Sequence, residues 1–82
     1  MQSAPSFQAL STLYQNKDYA GVVTACSNAN LASTVARICT MAACYQHDAA
    51  RAKRWAASVL PTLRAQLAAN CKQVGDIDIP DP

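Results

Sequence analysis

Four cysteines and one histidine are the residues of this chain best suited to bond formation or catalysis. Cys26, Cys39, Cys44 and Cys71 are even in number, a pattern that predicts two disulfides in a small domain outside the cytosol. Three pairings are compatible with four cysteines, and four buried free thiols are the alternative. Cys44 and His47 lie close in sequence, which raises two further hypotheses: a zinc site completed by Cys39 and another cysteine, or a thiol nucleophile activated by the imidazole.

The rest of the sequence favours neither zinc nor catalysis. No Cys-x-x-Cys pair is present, although structural zinc sites usually carry ligands about two to four residues apart. The chain contains no glutamate, and its five carboxylates are aspartates at two predicted helix starts and near the C-terminal end. A paired general acid and base is therefore not available. With only two glycines, a phosphate-binding loop is also excluded. We predict no metal, no cofactor and no enzymatic activity.

The elements that position these residues are predicted to be helices. The chain is rich in alanine and has few glycines and prolines, which is typical of helical proteins. Residues 13–23 and 43–53 repeat one pattern: an apolar helical stripe, a short polar turn ending in Asp, and a second helix that begins with small residues. Each copy predicts a helix-turn-helix unit, and such units bury one face by stacking on their neighbours.

We predict an all-α fold of about five antiparallel helices, in which two stacked helix-turn-helix units are followed by a C-terminal capping helix. The first helix begins after Ser3 or Ser6 and ends near Asn16. The others cover about 18–26, 31–46, 48–60 and 61–74, with Gly75 as a left-handed cap. Residues 1–75 form one domain, and residues 76–82 form a flexible tail. No apolar stretch approaches the roughly 18 residues that a membrane span requires.

The repeated pattern resembles the tetratricopeptide repeat. In the first copy, the residues at the packing positions of that family are Leu13, Asp18, Tyr19, Val22 and Ala29. In the second copy, they are Ala43, Asp48, Ala49, Ala52 and Val59. The early Trp and the Leu-Gly pair of the family are absent, and the repeat is shorter than the usual length of about 34 residues. Residues 42–53 and 71–75 also resemble short C-terminal helical modules of bacterial envelope or signalling proteins.

The resemblance implies a concave surface lined by the first helix of each pair, on which another protein or a peptide binds. The residues that would line this surface are Phe7, Ser11, Tyr14, Gln15, Thr34, Arg37, Met41 and Tyr45. Phe7 and Tyr14 have an alternative role, which is to pack against the next hairpin. A hairpin stack makes the second and third helices neighbours, which favours a Cys26–Cys39 disulfide and leaves Cys44 to pair with Cys71. Each disulfide would add roughly 3 kcal/mol of stability.

We therefore predict a non-catalytic adaptor or scaffold module of a bacterial protein. Its partner binds the concave face of the first and third helices, and its compartment is extracytoplasmic, either periplasmic or secreted. The chain shows no signal-peptide pattern at its start. The main alternative is a self-associating oligomerisation or docking module of a larger protein, which would form a homo-oligomer. A zinc-binding or nucleic-acid-binding helical domain is the second alternative. Nucleic-acid binding is considered because residues 37–72 contain six Lys or Arg side chains and one acidic side chain, that of Asp48. The main prediction includes no nucleic-acid partner and no membrane span.

Overall fold

The chain folds as a set of five helices in a computed structural model that describes residues 7–27 and 33–79, without the side chains of Ser33 and Thr34. The helices are α1 (Phe7–Gln15), α2 (Tyr19–Ser27), α3 (Ser33–Tyr45), α4 (Ala49–Ala56) and α5 (Pro61–Gly75). Over these residues the all-α fold class is confirmed, and no strand is present. None of the described helices has the length and apolar character needed to cross a membrane.

The turns that follow α1 and α3 have the same backbone geometry. Lys17 and His47 occupy equivalent positions in these turns, and both adopt left-handed conformations, with φ of 60° and 58°. In each turn the amide of this residue donates to the carbonyl three positions earlier, and the next amide donates to the carbonyl five positions earlier. This arrangement is a Schellman motif, which closes a helix by satisfying its last carbonyls. The repeat in the sequence is therefore also a repeat of turn geometry.

An aspartate at the end of each turn begins the next helix. The carboxylate of Asp18 accepts a hydrogen bond from the Gly21 amide at 3.0 Å, and that of Asp48 accepts one from the Arg51 amide at 3.1 Å. Both bonds satisfy amides of the first helical turn, which have no partner within the helix. The same residue thus completes one helix end and starts the next, which accounts for the short connections in both units.

The core is built around α3, which contacts each of the other four helices. Its fully buried alanines, among them Ala36 and Ala43, have small side chains that allow neighbouring helices to approach closely. Larger core residues from the surrounding helices are Leu10, Val22, Trp55 and Leu67, and Val59 joins them from the turn between α4 and α5. Phe7, at the start of α1, is not part of this core, because it is 54% exposed.

The fourth helix ends at Ala56, four residues before the predicted Leu60. The physical reason lies in α5, where the Nη2 group of Arg64 donates to the carbonyls of Val59 at 2.9 Å and Ala57 at 3.3 Å. A continuous helix would leave the Ala57 carbonyl without an amide partner, because residue 61 is a proline, and the Arg64 guanidinium supplies a donor instead. The resulting turn is irregular and buries the Val59 side chain.

The prediction that Gly75 is a left-handed cap is wrong. No described glycine has a positive φ, and the left-handed residue at the end of α5 is Asp76, with φ of 55°. The Asp76 amide donates to the Lys72 carbonyl at 3.0 Å, which closes the helix. Gly75 is instead the last residue of α5, and it is buried against the backbone of Cys44. A close approach between helices, rather than backbone conformation, requires the glycine here.

The structure also corrects the prediction of a flexible tail for residues 76–79. These residues have no regular secondary structure, but Ile77 and Ile79 are only 5% and 7% exposed and belong to the core. The intervening Asp78 and the preceding Asp76 accept ion-pair contacts from the Lys72 ammonium at 3.2 and 3.0 Å. In an extended segment alternate side chains point to opposite sides, so the Asp-Ile-Asp-Ile sequence suits this position. The remaining tail residues, 80–82, lie outside the described part of the chain.

We expect Ile77→Ala and Ile79→Ala each to lower the free energy of unfolding by roughly 2 kcal/mol or more, because each removes buried apolar volume. Asp78→Ala is the control, since it removes only an exposed ion pair, and its effect is expected to be much smaller than that of either isoleucine variant. Urea denaturation followed by Trp55 fluorescence measures all three variants. If the isoleucine variants unfolded at the wild-type urea concentration, this segment would not be part of the core.

Candidate functional site

Two adjoining grooves lie on the face formed by α1, α3 and α5. The first has a volume of 190 Å³, lies between α1 and α3, and is lined by Phe7, Tyr14, Arg37, Ile38 and Met41. The second has a volume of 230 Å³, lies between α3 and α5, and is lined by Arg37, Met41, Leu63, Gln66, Leu67 and Asn70. Arg37 and Met41 are one helical turn apart on α3 and line both grooves. We call this surface the groove face.

Four of the eight predicted partner-binding residues come together in the first groove. These residues are Phe7, Tyr14, Arg37 and Met41. Ser11 and Gln15 lie on α1 outside both grooves, where the Gln15 amide nitrogen donates to the Ser11 hydroxyl at 3.2 Å. Tyr45 packs with the other tyrosines and also lies outside the grooves. The side chain of Thr34 is outside the described part of the structure.

The contribution of α5 to the groove face was not predicted from the sequence. The sequence predicts only a capping role for this helix, yet its residues Leu63, Gln66, Leu67 and Asn70 line the second groove. A signal was present in the sequence, because the two amide side chains are four residues apart and therefore share one face of the helix. The first helix of each predicted pair is expected to line this surface. If α5 is counted as the first helix of a third pair that lacks its second helix, α5 is expected on the groove face as well.

The three tyrosines of the chain form a cluster beside the first groove. The rings of Tyr19 and Tyr45 stack with centroids 4.2 Å apart and planes at 3°. Tyr14 packs edge-on against both, at 5.3 Å from Tyr19 and 6.0 Å from Tyr45. The cluster joins α1, α2 and the end of α3, so Tyr14 both lines the groove and contributes to packing between the units. A substitution at Tyr14 therefore tests binding less cleanly than one at Phe7.

We expect the domain to lose stability between about pH 10 and pH 12. Burial, with the neighbouring Tyr45 and Tyr19, raises the pKa of Tyr14 to about 12, above its ordinary value of about 10. The Tyr14 phenol thus binds its proton more tightly in the folded state than in the unfolded chain, which adds to the stability of the fold below pH 10. This added stability is lost as the pH rises from about 10 to about 12. Burial and the neighbouring Tyr45 also raise the pKa of Tyr19, so part of the tyrosinate absorbance should appear above pH 10, and Tyr14→Phe should remove its latest step. A single step for all three tyrosines at pH 10 would contradict this assignment.

All four cysteines are paired in the structure. Cys26 is joined to Cys39 and Cys44 to Cys71, which confirms the expectation of two disulfides and matches the favoured pairing. A cysteine-based zinc site or nucleophile would need a free thiolate, whereas each sulfur here is bonded to another. His47 Nδ1 instead lies 3.3 Å from the Gly75 carbonyl oxygen. Within residues 7–27 and 33–79, no group of three or more His, Cys, Asp or Glu residues could hold a metal ion.

A third and larger cleft of 400 Å³ lies between α2 and the start of α4. Its charged lining residues are Asp48 and Arg51, whose Oδ2 and Nη1 atoms are 2.7 Å apart. The hydrogen bonds from Arg51 hold the pKa of Asp48 below its usual value. The two charges therefore neutralise each other within the chain, and the cleft presents no free charge to a ligand. For this reason the groove face is the stronger candidate site, although the cleft is larger.

Searches against protein-family models, curated proteins and solved structures found no match to this chain.

Proposed function

We propose that this chain is a non-catalytic adaptor domain that binds another protein or a peptide on its groove face. The observation that carries the proposal is the pair of adjoining grooves that share Arg37 and Met41. Aromatic, Met and Arg side chains are enriched at protein interfaces, and Phe7 supplies an exposed aromatic ring at the edge of this face. Two grooves of 190 and 230 Å³ suit a few side chains of a short segment rather than a large partner surface.

Two disulfides in a small domain are compatible with an oxidising compartment, because cytosolic reductants keep most thiols reduced. We therefore propose an extracytoplasmic location, in the periplasm or secreted.

Selection of peptides from a random phage-displayed library against the oxidised domain tests the binding proposal. The groove variant Phe7→Ala/Arg37→Ala removes one exposed apolar side chain and one guanidinium from the groove face. Its matched control is Leu60→Ala/Arg54→Ala, which removes an equally exposed apolar side chain, at 51% against 54% for Phe7, and one exposed guanidinium elsewhere.

We expect the selected peptides to bind the groove variant at least roughly tenfold more weakly than wild type, because interface hot spots each contribute more than about 1 kcal/mol. Binding to the control should be unchanged. Equal losses for both variants, or no loss for either, would place the binding site away from the groove face and contradict the proposal.

A further inference from the structure

We infer that the segment bound by the groove face carries an aromatic or long aliphatic side chain next to an aspartate or glutamate. This inference rests on the proposed function and specifies the partner of the same site. The apolar side chain would occupy the groove between α1 and α3. The carboxylate would bind the guanidinium of Arg37 from the side of α5.

Charge on the groove face supports an acidic partner. Among the described residues that line the two grooves, Arg37 is the only charged one. Its side chain is exposed, and within the described part of the chain it has no hydrogen bond or ion pair. A guanidinium beside apolar groups binds a carboxylate well, since its paired donors match the two oxygens and a bound partner would exclude water from the contact.

The chain does not supply a carboxylate of its own to this site from the described residues. Asp48 is paired with Arg51, and Asp76 and Asp78 are paired with Lys72. The remaining described carboxylate, that of Asp18, caps α2. The complementary charge is therefore expected to come from the partner.

The two grooves differ in polarity, which sets the order of groups in the partner. The first groove presents Phe7, Ile38 and Met41, and these side chains suit an apolar group. The second groove adds the amides of Gln66 and Asn70, which can both donate and accept hydrogen bonds. A segment that crosses α3 would therefore place its apolar side chain on the α1 side and its carboxylate and polar backbone on the α5 side.

A second copy of this chain fits the groove face less well than an acidic partner. In a twofold-symmetric dimer both copies use the same surface, so residues near its centre approach their own equivalents. Arg37 is shared by both grooves, and a dimer through this face would bring two guanidinium groups together without a described carboxylate between them. Like charges in that position oppose association.

A charge-reversal selection tests the inference. Random dodecapeptides are selected in parallel on wild type, on Arg37→Glu and on the control Arg54→Glu, an exposed arginine of α4 outside both grooves. We expect Asp or Glu beside an apolar residue in peptides selected on wild type and on the control. On Arg37→Glu, we expect Lys or Arg in place of the acidic residue.

The affinity of acidic peptides should fall roughly ten- to a hundredfold on Arg37→Glu, the range expected for loss of a charge-assisted hydrogen bond. It should also fall as salt is added. Peptides that lose binding to Phe7→Ala but show the same residue preferences on all three proteins would overturn the inference and leave the proposed function standing. Peptides that are insensitive to Phe7→Ala would overturn both. A wild-type dimer that dissociates on Phe7→Ala would show that a second copy occupies the face.

Discussion

Reduction of both disulfides is expected to unfold the domain. Closing loops with sequence separations of 13 and 27 residues corresponds to roughly 3 and 3.5 kcal/mol in the chain-entropy description. A domain of 82 residues has a total stability of about 4 to 12 kcal/mol at typical values per residue. Because much of the core consists of alanine, which contributes little apolar area, we expect stability in the lower part of this range. Losing both disulfides then removes most or all of it.

Helical circular dichroism and Trp55 fluorescence, measured with and without reductant, check this expectation. The four cysteines are at most 1% exposed, so reduction should be slow until the fold opens. In non-reducing buffer, Cys44→Ala/Cys71→Ala should lose slightly more stability than Cys26→Ala/Cys39→Ala, since its loop is longer. A reduced protein with native helicity and a buried Trp55 would show that the core alone sustains the fold.

The second large effect is expected from Gly75→Ala, which should destabilise the domain by roughly 3 kcal/mol, at the upper end of typical overpacking costs. A methyl group on Gly75 would collide with the carbonyl oxygen of Cys44 and lie 3.0 Å from its carbonyl carbon. These are backbone atoms of the central helix, so they cannot rotate away. The disulfide from Cys44 to Cys71 fixes the two helices one turn from this contact, which limits adjustment of α5.

Gly21→Ala is the matched control because it introduces the same methyl group into a helix. There the added carbon would lie 2.6 Å from an Asp18 carboxylate oxygen, and that exposed side chain can turn away. Loss of the Asp18 cap costs about 1 kcal/mol, and replacing glycine within a helix returns a similar amount. Thermal unfolding should thus separate the two variants clearly. Equal melting temperatures would mean that α5 does not approach α3 closely at Gly75.

Local features of the fold could be predicted from the sequence because they depend on neighbouring residues. Asp18 and Asp48 each follow an apolar stripe and begin a new one, and both prove to be helix caps. The repeated turn and its Asp fix the helix order, which in turn places the second helix beside the third. Cys26 and Cys39 then lie on adjacent helices, 6.0 Å apart between their Cα atoms.

Features that depend on contacts between distant segments were not predictable in the same way. The need for glycine at position 75 arises from the Cys44 backbone, which is remote in sequence. Ile77 and Ile79 follow the last helix, and only the packed structure shows that the core extends beyond it. Gln66 belongs to the groove face because α5 packs beside α3, whereas the repeat pattern in the sequence covers only the first four helices.

Mapping of a bound peptide onto the oxidised domain by amide NMR chemical shifts tests the central claim most directly. The peptide is one selected on wild type, and Phe7→Ala serves as the control protein. We predict that the largest shift changes occur at Arg37, Ile38 and Met41 of α3 and at Gln66 of α5, and that they diminish on the control. Changes centred instead on the cleft between α2 and α4, at Val23, Thr24 and Gln46, would contradict the assignment of the groove face as the binding site.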